Sequence, residues 1–156
     1  MIWSLARVLG FSCLVGTACQ RAQEVNGVGP YIIGKTMLAD GQAAGRCIPS
    51  GEITHCFGME DINLGDKPAQ VGLYFAGKDP GARLMEVAMS VRSCDFESVT
   101  RALERALGTP TERRTKRHLW TRKLIFVSAA LSERTCEVSF VDSKDQARIT
   151  ELKAGP

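Results

Sequence analysis

The sequence predicts an α+β fold: a small antiparallel sheet with one or two helices packed on one face, stapled by disulfides. Three observations carry this expectation. Residues 84–91 alternate, with Met85, Val87, Met89 and Val91 on one side and Leu84, Glu86, Ala88 and Ser90 on the other, the pattern of a half-buried strand. Asp95 precedes an apolar stripe at helical spacing, Phe96, Val99, Leu103, Ala106 and Leu107, and Gly108 with Pro110 stops it. Cys47, Cys56, Cys94 and Cys136 form an even set suited to an oxidising compartment.

The first eighteen residues are read apart from the fold. Arg7 precedes a short apolar run, residues 8–15, and the small residues Gly16, Thr17 and Ala18 follow. That order is a secretion signal, and the run is too short to span a bilayer, which takes about 20 apolar residues. The stretch Val15-Gly16-Thr17-Ala18-Cys19 resembles the bacterial lipoprotein signal, with Gly16 where such signals usually carry Leu. The resemblance implies that Cys19 becomes the lipidated first residue. It also implies, since Gln20 is not Asp, an outer-membrane lipoprotein facing the periplasm. The alternative is cleavage without lipid, which gives a soluble periplasmic protein. Contact with membrane is expected through the lipid anchor only.

Residues 19–30 are polar and small and are expected to form a tether, leaving residues 31–156 as one domain. Thr36 is placed to cap a short helix over residues 37–44, which Gly41 weakens. Pro49, Ser50 and Gly51 signal a turn between Cys47 and Cys56. Four cysteines allow three pairings, and the turn favours Cys47–Cys56 with Cys94–Cys136 as the second bridge. Residues 71–76 read as a strand and residues 77–81 as a turn. After the helix come a basic loop, one long strand over residues 119–129, a turn at residues 131–135, and a last strand with Cys136, Val138 and Phe140 facing inward. The charged tail from Ser143 reads as a short helix or a frayed end.

The run Leu107-Gly108-Thr109-Pro110, a polar loop, then Trp120 in an apolar strand resembles the small outer-membrane lipoproteins of the SmpA/OmlA kind. The stretch Ile32-Ile33-Gly34-Lys35-Thr36, followed by Cys47 and Ile53-Thr54-His55-Cys56, looks like one repeat of the beta-lactamase-inhibitor-protein type of fold. Both resemblances imply a helix-plus-sheet plan and a role in binding other proteins.

Charge is the strongest functional signal. The chain carries a formal +3, and losing Arg7 leaves +2. Residues 112–123 hold Arg113, Arg114, Lys116, Arg117, Arg122 and Lys123 against Glu112 alone, so that segment is +5 and the remainder −3. Such asymmetry creates a local positive field. Those six residues with Trp120 are therefore expected to form a surface for an envelope protein or an anionic envelope surface. Nucleic acid is excluded by the compartment. A solvated loop with arginine stems lying on a strand edge is the plainer reading.

Enzyme chemistry finds little footing. His55 adjoins Cys56, but neighbours in a strand point to opposite faces, and a disulfide removes the thiol. His118 has no recognisable triad partners. Glu60, Asp61 and Asp66 lack the spacing of a calcium loop. The glycine-rich stretches 27–30 and 41–45 lack the Lys-Ser/Thr of a phosphate loop. No cofactor, no metal and no catalytic residue is expected. A second functional expectation is a periplasmic protein inhibitor acting through the Cys47–Cys56 loop.

Overall fold

The computed structural model describes residues 24–155, so the expected leader and the expected lipidation at Cys19 lie outside the described residues. Eleven strands and three helices follow in chain order. They are β1 Gly27–Val28, β2 Tyr31–Ile32, α1 Leu38–Ala44, β3 Arg46–Ser50, β4 Ile53–Phe57, β5 Ile62–Leu64, β6 Lys67–Ala76 and β7 Leu84–Arg92, then α2 Phe96–Leu107, β8 Glu112–Arg114, β9 Arg117–Thr121, β10 Ile125–Ser132, β11 Thr135–Asp142 and α3 Gln146–Ala154. The main sheet is antiparallel, ordered β3-β4-β6-β7-β11-β10-β9-β8, with β5 attached to β6. The last strand, β11, returns to the centre between β7 and β10. The α+β class and both disulfides are as the sequence predicts.

The folded unit begins earlier than Tyr31. Gly27 and Val28 pair with Ile32 and Tyr31 in a small hairpin, and Val25 and Val28 pack on the core. The glycine-rich end of the expected tether is therefore part of the domain.

Helices α1 and α2 lie on one side of the sheet, here called the front. Leu38 of α1 and Val99, Leu103 and Leu107 of α2 join the inward residues of the strands in one large core. Thr36 does not cap α1; its Oγ1 accepts from Ile32 N–H and closes a turn, while Asp40 Oδ2 accepts from Met37 N–H. Gly41 has a packing reason. A Cβ there would lie 2.8 Å from Phe75 Cε2, so only glycine lets this helix rest on β6. Helix α2 is capped as predicted, with Asp95 Oδ1 accepting from Glu97 N–H at 3.2 Å and Gly108 at φ 76°. The tail forms α3 on the opposite side, the reverse face. There Ile149 covers Leu119, Phe126 and Val141 in a second, smaller core.

Two strand expectations change. Residues 119–129 are not one strand: they form β9, a turn at residues 122–124, and β10, which pair antiparallel. The turn carries Arg122, Lys123 and Leu124, with no Gly or Pro to announce it. In β7 a register shift beside Tyr74 and Phe75 sets Leu84 opposite Phe75, so Leu84 rather than Met85 enters the front core.

Cys47 and Cys56 sit directly opposite on the hairpin of β3 and β4, with Cα atoms 4.0 Å apart. Cys94, ahead of α2, joins Cys136 of the central strand β11 at a Cα distance of 5.9 Å. The two sheet edges are β3, which contains Pro49, and β8, which is Glu112-Arg113-Arg114.

Candidate functional site

The basic segment is a structural clasp before it is a surface. Trp120 is fully buried in the front core, and its indole N–H donates to Gly108 O at 2.8 Å. Trp120 therefore belongs to no contact surface; the expectation fails because alternation along β9 turns it inward with His118 under α2. The same bond explains why a Leu-Gly-x-Pro helix stop is followed by a tryptophan here. The indole satisfies a carbonyl that the ended helix leaves open.

The arginines divide between two helix ends. Arg122 donates from Nε to Leu107 O at 3.1 Å, from Nη2 to the same carbonyl, and from Nη2 to Thr109 O at 3.1 Å. Arg117 donates from Nη1 to Leu152 O at 2.7 Å and Arg114 from Nη1 to Lys153 O at 3.1 Å. The C-termini of α2 and α3 thus each receive guanidinium groups, which answer open carbonyls and the negative end of the helix dipole. Arg114 also pairs with Glu112 at 2.6 Å, and Arg113 turns to the front to pair with Glu104 of α2 at 2.7 Å. Lys116 and Lys123 are exposed, and the ammonium group of neither makes a hydrogen bond or ion pair among the described residues; the Lys123 carbonyl accepts from Ser143 Oγ at 3.0 Å. A single seven-residue patch is not formed. Arg114, Lys116 and Arg117 instead border a hollow of about 630 Å³ on the reverse face.

The reverse face is where polar and apolar groups gather in the open. One row across the strands runs Ile48, His55, Tyr74 and Glu86. His55 stacks on Tyr74 with ring centroids 4.4 Å apart and planes 7° from parallel, and Phe57 lies 5.5 Å from His55. Ile48 and Ile53 on the stapled hairpin are 46% and 39% exposed, high for residues of this type set side by side. Glu86 is 5% exposed and accepts two bonds from Arg148 of α3, at 2.9 and 3.0 Å. Arg148 also reaches Glu151 at 3.1 Å. These bonds hold Arg148 more firmly protonated than an ordinary arginine. Burial, with the Glu86 charge adding and Arg148 opposing, pushes the Tyr74 hydroxyl up. Burial lowers His55 against the pull of Glu86.

The other chemistry-bearing residues scatter. Cys56 is buried in the front core within its disulfide, whereas His55 points to the reverse face, as strand alternation requires. His118 stands beside Phe96 and Trp120, and burial and Arg113 lower its pKa against Glu104. Asp66 accepts from Ser98 Oγ at 3.3 Å. Among the described residues no three His, Cys, Asp or Glu side chains converge as a metal site would need, and no helix is long and apolar enough to cross a membrane.

The sequence did not point to the reverse face, because its members come from five separate elements and share no motif. The available signal was Glu86 within the apolar and small-residue run of residues 84–91.

Comparison with protein-family models, curated proteins and solved structures finds no match to this chain.

Proposed function

We propose that this chain is a non-enzymatic lipoprotein of the bacterial envelope, anchored at Cys19 to the outer membrane and facing the periplasm. It binds another envelope protein through the reverse face of its sheet. The observation that carries this reading is the exposed pair Ile48 and Ile53 beside the stacked His55 and Tyr74. Aromatic and aliphatic anchors at the centre of a polar surround are the usual make-up of a protein-binding patch. The leader, the two disulfides and the resemblance to SmpA/OmlA-kind lipoproteins support the envelope location. The basic segment takes a smaller part than its charge implies, since most of its arginines are engaged by main-chain carbonyls.

A photo-crosslinking side chain placed at Ile48 or Ile53 in living cells tests the reading. It should give a discrete protein adduct that Tyr74→Asp abolishes and that Lys123→Gln leaves unchanged. Adducts that depend on Lys123 and ignore Tyr74 would return the function to the basic segment. Mass spectrometry of the mature protein should find a diacylglycerol on Cys19; a free N-terminus at that residue would instead mean a soluble periplasmic protein.

The same hairpin favours a second reading, a protein inhibitor. Ile48 and Ile53 are displayed on two strands locked together by Cys47–Cys56, so the loop enters a cleft already ordered. Reducing that bridge should then abolish inhibition while the rest of the domain stays folded.

A further inference from the structure

Three hollows on the reverse face follow in series, each sharing lining residues with the next. The first, about 370 Å³, lies between Ile53, Tyr74 and Met85 on one side and, on the other, Asp145 at the N-cap of α3 with Arg148 and Glu151 of the helix. The second, about 270 Å³, shares Tyr74 and Arg148 with the first and runs over Ala88, Ser90 and Ser139. It shares Glu137 with the third, the 630 Å³ hollow bordered by Arg114, Lys116 and Arg117. The floor of the second hollow is low because small residues stand in register there, Ala88 opposite Ser139.

The resulting trough crosses the sheet rather than following a strand. From β6 to β9 it makes four inter-strand steps, roughly 19 Å at about 4.8 Å each. An extended chain covers that distance in about six residues. The two ends carry opposite charge. At the α3 end, Glu86, Asp145 and Glu151 outnumber Arg148. At the β9 end, Arg114, Lys116 and Arg117 outnumber Glu133 and Glu137 in the lining, with Glu112 pairing Arg114 from outside it.

We infer that the trough receives an extended segment of the partner protein, about six residues long. A Lys or Arg of that segment sits at the α3 end and an Asp or Glu at the β9 end. This rests on the docking reading above and adds the chemistry of what docks. A long basic side chain suits the first hollow because its aliphatic stem lies along Ile53 and Met85 while the cation meets Glu151 and the Tyr74 ring. A carboxylate suits the other end because Arg117 gives one of its five N–H donors to Leu152 O among the described residues, and Lys116 is exposed beside it. Recognition is through side chains, since a segment lying across strands cannot extend their ladder.

The test uses four dye-labelled six-residue peptides of otherwise identical apolar sequence. They carry Lys and Glu at opposite ends, Lys at both, Glu at both, or neither. Fluorescence anisotropy against the full protein, purified in detergent, should rank the Lys/Glu peptide first. Each missing charge should cost about two- to fivefold, the range of one exposed ion pair. Glu151→Gln should weaken the Lys/Glu peptide by a similar factor, Lys116→Gln should do the same, and both should leave the peptide without charges unchanged. A melting curve confirms that each variant is folded. Equal binding of the four peptides, no binding by any, or indifference to both substitutions overturns the charge assignment. If the Ile48 and Ile53 adducts persist in that case, the docking face stands and only its polarity is wrong; if they are also absent, the face itself is wrong.

Discussion

Replacing Trp120 by Phe separates a structural tryptophan from a surface one. The substitution keeps an aromatic ring but removes the N–H that bonds Gly108 O at 2.8 Å. That bond is worth about 1 kcal/mol net. The lost fused ring leaves a void of roughly 40 Å³, which at about 24 cal/mol per Å³ adds about 1 kcal/mol, with a further fraction for the buried area no longer hidden from water. Trp120 is fully buried, so little relaxation is open to its neighbours. The expected loss is therefore about 2–3 kcal/mol, close to a third of the stability of a typical domain. With a urea slope of about 2 kcal/mol/M, the midpoint should fall by about 1–1.5 M at unchanged slope. Unfolding should be followed by far-ultraviolet circular dichroism, because the substitution removes a fluorophore. A fall of less than about 0.3 M is the range of a surface position and would refute the burial argument.

Arg148→Met should destabilise by about 3–5 kcal/mol in urea unfolding, because it strands the carboxylate of Glu86 in a buried site. Glu86→Gln should cost less, since the Arg148 side chain is 36% exposed and turns outward; the reverse order would sink the argument. Removing Cys94–Cys136 by paired serines should cost about 4 kcal/mol, and removing Cys47–Cys56 about 2.6, as loops closed over sequence separations of 42 and 9 require in the chain-entropy account. Equal midpoint shifts in denaturant would contradict that ordering. Both His55 and His118 titrate below the ordinary histidine value of 6.5 in the fold. The unfolded chain then binds more protons, so stability is full above that value and declines as pH falls from it through the lower folded values. His55→Gln with His118→Gln should flatten the decline between pH 7 and 5, measured by thermal melting at each pH.

What the sequence made legible depended on local signals. Asp95 and Gly108 bracket α2 because cap and stop act within a few residues of the helix they end. The disulfide pairing followed from a turn signal, and the inward face of β11 from plain alternation. The boundary between β9 and β10 was illegible because an arginine bonded to carbonyls fifteen residues away does the work usually left to glycine or proline. The inward turn of Leu84 depends on a register shift that alternation alone cannot reveal. The basic segment misled for a related reason. Charge counting sees Arg114, Arg117 and Arg122 as free cations, whereas the fold spends their donors on helix ends brought close only by tertiary structure. Glu86 and Arg148, 62 residues apart, meet for the same reason.

The edges of the sheet have a consequence for how this protein is handled by the cell. In β3 the short Cα distance at Cys47 and Cys56 marks a pair that exchanges no ladder bonds, and Pro49 falls two residues on, with the same outward orientation. The missing N–H of Pro49 thus costs the hairpin nothing and denies a foreign strand one of its anchor points. At the far edge, Glu112, Arg113 and Arg114 oppose any flat neighbour by charge. An oxidised chain can therefore collect at high local density without templating fibrils. Before the bridge closes, β3 is held by its ladder to β4 and by its packing on α1 and the core, and β4 is the next edge exposed if it lifts. Aggregation should then be most acute under reducing conditions, which makes early closure of the Cys47–Cys56 bridge a condition of solubility for this fold.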